Sequence, residues 1–328
     1  MLKRILTVPA LAGLFLLAGA ASRATTLVEN FSTDPLEHGW VVTGKTNLFH
    51  WNATNQNLEV TWDSSQTNSY FCRPFGTSLT KASDFMLGFD LRLNDIAGGV
   101  NSGKPFPFQI SMGLLNLTQA TNGGFIRGSG YESPNLVEFD YFPGGIFDPT
   151  VSPVLISSNN EFSDGGFTFP LAIATNALYH VTMLYLAEDR TLRTTITSNG
   201  VPCGPVKDCT LNTNFSDFSV DHFGVSSYGD AGQFPGFEGS VLAHGIVDNF
   251  LFAAPPPVTK VKAVNESGVA NVQFRATTNW LYVLERTTNF QTWSTVATAI
   301  PGISGTMQLQ DTNPPAANAL YRVHAEYP

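Results

Sequence analysis

Apolar residues recur at every second position along most of this chain, and convincing helical stripes do not. Leu58-Glu59-Val60-Thr61-Trp62, Phe85 to Leu93 and Tyr179 to Tyr185 all alternate in this way. A period of two places the apolar members of each stretch on one face of a strand. Tyr179 to Tyr185 is followed by Glu188-Asp189-Arg190 and then by Thr191 to Thr197, the order strand, charged turn, strand that predicts a hairpin. Clusters of Asn, Gly, Ser and Pro at Gly98 to Pro107, Asn122 to Pro134 and Ser157 to Gly166 mark long surface loops, where binding function concentrates. With 29 Gly, 20 Pro and only 13% charged residues, the composition suits a turn-rich all-β chain rather than a helical bundle or a disordered tail.

The ends of the chain carry different signals. Lys3 and Arg4 precede an apolar run from Ile5 to Ala21, which closes on small residues through Ala24. That order is the layout of a cleavable signal peptide over residues 1–24, so the mature protein is expected to be secreted, outside the cell, at its surface or in a periplasm. The run is shorter than the roughly 20 residues that cross a bilayer, and no second one follows, so no membrane span is expected after cleavage. Cleavage removes Lys3, Arg4 and Arg23 and no acid, moving the formal charge from -9 to -12. So acidic a chain has nothing to offer a phosphate backbone, and nucleic acid is excluded as a partner. Ala253-Ala254-Pro255-Pro256-Pro257 predicts an extended linker over 253–257, because consecutive prolines cannot donate ladder hydrogen bonds. It divides a larger β-sandwich, 25–252, from a small immunoglobulin- or fibronectin-like β-sandwich module, 258–328. Of three cysteines, Cys203 and Cys209 bracket a Gly- and Pro-containing segment and are expected to form a local disulfide. Cys72, in strand-like Tyr70-Phe71-Cys72, is expected to be a buried free thiol.

The most informative segment runs from Leu136 to Pro149. Alternation puts Val137, Phe139 and Tyr141 on one face and Glu138 and Asp140 on the other, the two acids roughly 7 Å apart at about 3.3 Å per residue. Pro143-Gly144-Gly145 lets the chain turn back, so that Asp148 could join them as a third carboxylate. Such an oxygen-rich cluster suits a hard cation such as Ca²⁺. On spacing alone, the solvated polar face of a half-buried strand is the simpler reading. Three carboxylates held close need a cation, a proton or a basic side chain, and Arg73, Arg92 and Lys104 are the candidates for the last.

Val137-Glu138-Phe139-Asp140-Tyr141-Phe142-Pro143 followed by Phe147-Asp148-Pro149 resembles the metal-binding strand and loop of the legume-lectin and concanavalin A-like jelly-roll family. The resemblance implies a concanavalin A-like jelly-roll β-sandwich for most of residues 27–252. It also implies metal-binding roles for Glu138, Asp140 and Asp148, with Ca²⁺ as the cofactor. Among the aromatic rings that could stack on a sugar, Trp40, Trp51, Trp62, Tyr141 and Phe142, the last two adjoin the glycine turn, which makes Tyr141, Phe142, Gly144 and Gly145 the candidate ligand-binding residues. Three departures from the family are plain in the sequence. Gly144 and Gly145 stand where the family has an Asn that serves calcium and sugar, no His follows to complete the metal shell, and the loop expected to carry a sugar-binding Asp reads Lys104-Pro105-Phe106-Pro107. Residues 29–95 and the tail from Tyr282 to Val296 resemble modules of large secreted proteins from environmental bacteria.

The resulting expectation is a secreted, non-catalytic, lectin-like protein that binds an extracellular glycan or another cell-surface polymer. A structural or adhesive matrix protein, or a protein-interaction module, is the alternative. An enzyme comes third. A jelly-roll glycoside hydrolase needs a second catalytic carboxylate at close quarters, where this chain has Phe142 and Pro143, and a jelly-roll polysaccharide lyase needs a His that Gln109-Ile110-Ser111 lacks. No nucleophile elbow, zinc-binding helix motif or phosphate loop occurs.

Overall fold

The structure, a computed structural model, describes residues 25–326 apart from 105, 129–132, 146, 188, 255–257, 267, 277–279, 290, 304 and 316–318. The expected signal peptide and the three linker prolines lie outside the described residues. The chain divides into two compact units at Ala254. Among the described residues no helix is long and apolar enough to cross a membrane.

The larger unit is all-β, a concanavalin A-like jelly-roll sandwich of two antiparallel-dominated sheets. In the first sheet the central strands run in the order Thr191–Ser198, Tyr179–Leu186, Phe85–Gly98, Gly239–Ala254, Asn57–Asp63. In the second the order is Phe162–Asp164, Val154–Ile156, Leu136–Phe142, Ile110–Leu115, Val220–Ser227, Ser69–Leu79. Neighbours in space are mostly distant in sequence, as in Greek-key connections. The expected hairpin is present, with Tyr179 opposite Ser198 and Leu186 opposite Thr191. Two expected boundaries move. Phe85 begins a strand that runs on to Gly98, and Ala253 and Ala254 continue the closing strand by pairing with Thr26 and Thr25 instead of starting the linker.

The inward residues of the two sheets meet in a core dominated by aromatic rings. Phe89 of the first sheet meets Phe139 of the second edge to face at 5.6 Å. Trp40 lies among Phe31, Phe71, Phe223 and Phe250, with centroids between 4.6 Å and 5.8 Å away. Each large side chain so buried contributes about 1.5–3 kcal/mol. Trp62, in alternation with Val60 and Leu58, is also buried.

The C-terminal unit has two three-stranded antiparallel sheets. One is Thr259–Glu266, Val269–Ala276 and Gly305–Asp311; the other is Ser294–Pro301, Leu281–Thr287 and Leu320–Glu326. Phe274 and Tyr282, one from each sheet, face each other at 5.1 Å, and the Arg322 guanidinium lies 4.4 Å over the Trp293 ring.

The cysteines depart from expectation. All three are free thiols. Cys203 pairs with Ile196 and Cys209 with Leu192 along the same strand, Thr191–Ser198. Four residues of strand separate those partners by about 13 Å, roughly twice the Cα separation a disulfide spans. The Gly-Pro segment between them therefore runs along the sheet edge and does not close a tight loop. Cys72 is buried, and burial pushes its thiol up to about 12.

Candidate functional site

In the strand Leu136–Phe142 the alternation holds, but both faces are covered. Phe139 points into the core, while the other parity, Glu138 and Asp140, faces away from it opposite Gly113 and Ser111. Arg127 and Tyr228 reach over that outer face to the two carboxylates, both of which are only 1% exposed. The approach is close: a Cβ at Gly113 would fall 2.2 Å from the Val137 carbonyl oxygen and 2.7 Å from the Glu138 Cα.

Two buried acids require compensation, and it comes from Arg127 in the roofing loop. Its Nε donates to Glu138 Oε2 at 3.0 Å, and its Nη2 donates to Asp140 Oδ2. Ser111 Oγ donates to Asp140 Oδ1 at 2.5 Å, and the Tyr228 hydroxyl donates to Glu138 Oε1. The loop is fixed on either side of Arg127. Ser133 Oγ accepts from the Ile126 amide at 2.9 Å and donates to the Ile126 carbonyl at 2.6 Å, and Asn68 Nδ2 donates to the Phe125 carbonyl at 3.0 Å. Gly128, at φ 151°, passes so near the core that a Cβ would lie 2.5 Å from the Phe108 ring.

One guanidinium cannot balance two desolvated carboxylates. Burial first, and then the charge of Asp140, push the Glu138 carboxyl up to about 7, against the opposing pull of Arg127 and the Tyr228 hydroxyl. Burial also raises Asp140, with Arg127 and Ser111 pulling it down. The Tyr228 phenol is held well above its ordinary value by burial and by the charge of Glu138. Glu138 is therefore the acid of the pair that keeps its proton up to about neutral pH.

A cavity of about 420 Å³ opens over this network. Gln109, Arg127, Asp140, Ser152 and Asp164 are its polar lining residues, and most of its apolar wall is phenylalanine: Phe106, Phe142, Phe147, Phe162, Phe167 and Phe237. Phe167 stands between Phe147 at 4.7 Å and Phe142 at 5.1 Å, and is itself 50% exposed. Gln109 shares the parity of Ser111 and is 2% exposed, yet among the described residues neither its Oε1 nor its Nε2 has a hydrogen-bond partner.

The expected site is thus only partly assembled. Phe142 lines the cavity. Tyr141 has the opposite parity, points inward and accepts from the Ile173 amide at 3.2 Å, so it is not available to a ligand. Gly144 and Gly145 shape the turn instead of lining the cavity; a Cβ at Gly145, at φ 145°, would lie 2.5 Å from Pro107. The carboxylate trio does not form. Asp148 lies exposed, and among the described residues no group of three His, Cys, Asp or Glu converges on a point. A hard cation needs six to eight oxygens, whereas here a guanidinium occupies the space between Glu138 and Asp140, so this donor set does not fit calcium. The basic partners expected for the acids are engaged elsewhere or distant: Arg73 with Glu29 at 3.8 Å, Lys104 with Asp230 at 2.8 Å, and Arg92 on the first sheet. Arg127 and Tyr228 are the functional residues the sequence reading missed.

No family model and no curated protein matches the sequence. Among solved structures the larger unit is similar to peanut lectin bound to a nine-residue peptide, with 14% identity, 70% of this chain and 99% of that one covered, and a TM-score of 0.43. It is also similar to basic winged bean lectin with Tn-antigen, at 15% identity, 72% and 100% coverage and a TM-score of 0.43. A third is the marine PL-14 alginate lyase from Aplysia kurodai, at 11% identity, 72% and 100% coverage and a TM-score of 0.41. Lectins and lyases stand side by side, and at these scores neither decides what this chain does.

Proposed function

We propose that the larger unit is a non-catalytic glycan-binding module and that the phenylalanine-walled cavity is its binding site. One observation carries this reading: Gln109, buried and unpartnered, lies in a cavity whose walls are aromatic. An unmet buried amide costs about 1–3 kcal/mol, a cost that a ligand with hydroxyl groups removes. Flat rings offer the apolar C–H faces of a sugar a large, rigid contact at small entropic cost. Glu138, Asp140 and Arg127 serve this site by holding its floor. Glu138 lies beneath the cavity surface, bonded by Arg127 and Tyr228, and both oxygens of Asp140 are taken.

The N-terminal signal sequence supports export, and an exported module of this kind meets extracellular or cell-surface polymers. The two small sheets of the C-terminal unit support an immunoglobulin- or fibronectin-like role as spacer or attachment module. The test is binding to an immobilised glycan array by the full mature chain and by Phe167→Ala. Loss of an aromatic anchor weakens binding by about 10-fold or more. Equal binding by both proteins would place the ligand elsewhere.

A further inference from the structure

We infer that the sugar unit seated at Gln109 is an uncharged hexose presenting two adjacent hydroxyls, and that acidic glycans are rejected. This rests on the cavity being the glycan site. A side-chain amide offers one acceptor and one donor in a single plane. Two hydroxyls on neighbouring ring carbons match it, one donating to Gln109 Oε1 and the other accepting from Nε2. A carboxylate or sulfate offers acceptors alone, so it would satisfy Nε2 and set a negative oxygen against Oε1.

The charges around the cavity point the same way. Asp140 and Asp164 line it and Glu138 lies directly beneath, while the cation in its lining, Arg127, is already bonded to both Glu138 and Asp140. Lys207 stands near Asp164 and offsets that acid. An incoming anion therefore meets a neutral-to-negative surface walled by low-dielectric rings, where like charges repel strongly. An uncharged ring meets no such barrier, and its C–H face can lie on Phe142 and Phe167.

The experiment is affinity gel electrophoresis of the full mature chain in gels containing soluble neutral polysaccharides whose 1,4 linkages leave the adjacent C2 and C3 hydroxyls free (β-1,4-glucan, β-1,4-mannan, β-1,4-galactan) or polyuronates (alginate, polygalacturonate). Three proteins are compared: wild type, Phe167→Ala and Gln109→Met. Met keeps the side-chain length and removes both unmet polar atoms, so the melting temperature of Gln109→Met should hold or rise while its retardation by the neutral glycan falls at least tenfold. Gln109→Glu, which keeps the shape but replaces the donor with an acid, should lose binding as well. Stronger retardation by a polyuronate than by every neutral glycan would overturn the inference while leaving the glycan reading intact. So would neutral binding that Phe167→Ala abolishes and both Gln109 variants retain. Retardation by none of the polysaccharides would remove the glycan reading and this inference with it.

Discussion

Glu138 is the residue whose chemistry is most altered by the fold. Its carboxyl titrates at about 7 in the folded chain against an ordinary 4.5, so between those values the folded state holds a proton that the unfolded state has released. The stability this supplies is fully present below the unfolded value and is lost as pH rises through about 7. Calorimetry of the wild type should therefore show a melting temperature that declines across this window, and Glu138→Gln, which cannot ionise, should lack that part of the decline. An identical slope in both proteins would contradict a raised Glu138 carboxyl. The same residues bear on calcium. With Arg127 between the acids, the melting temperature should not move with millimolar calcium or with EDTA, whereas a bound ion would add about 2.7 kcal/mol at a hundred times its dissociation constant. At this scale the sequence is half legible. Alternation aims Glu138 and Asp140 the same way, but their partner lies in a loop with no periodicity, and nothing in the spacing brings Arg127 to them.

At the scale of elements, strands are readable and their surroundings are not. Leu136–Phe142, the 179–198 hairpin and Asn57–Asp63 follow directly from period two, because alternation is a property of the strand itself. Whether the polar face of Leu136–Phe142 meets water depends on the chain around Arg127 and Tyr228 folding over it, a tertiary event. Tyr141 departs from expectation for a related reason: it adjoins the glycine turn, but its parity sends it to the core. Cys203 and Cys209 do not pair because the short, turn-prone segment between them is not a closed loop: its two ends are pinned to positions four residues apart on one strand. Thiol alkylation of the native protein without reductant should modify the half-exposed Cys203 first, with Cys72 and Cys209, both buried and raised to about 12, reacting only on unfolding. A Cys203 that reacts only after reduction would restore the disulfide.

On the scale of the whole molecule, the proline run at 255–257 marks where the chain divides into two units, whereas period two alone gives only an all-β chain, and the jelly roll was legible only through the resemblance carried by residues 137–143 and 147–149. The binding cavity was not visible. Its walls come from loops and strands between Phe106 and Phe237, more than a hundred residues apart, and its floor from Gln109, whose importance lies in what fails to bond to it. The central claim is that this cavity, on the outer face of the second sheet, holds a glycan. Backbone amide hydrogen exchange of the full mature chain, with and without a saturating bound polysaccharide, tests it most directly. Protection should centre on 106–111, 125–128, 140–147 and 162–167, leaving the hairpin 179–198 of the first sheet unchanged. Protection confined to the first sheet or to residues 258–326 would contradict it.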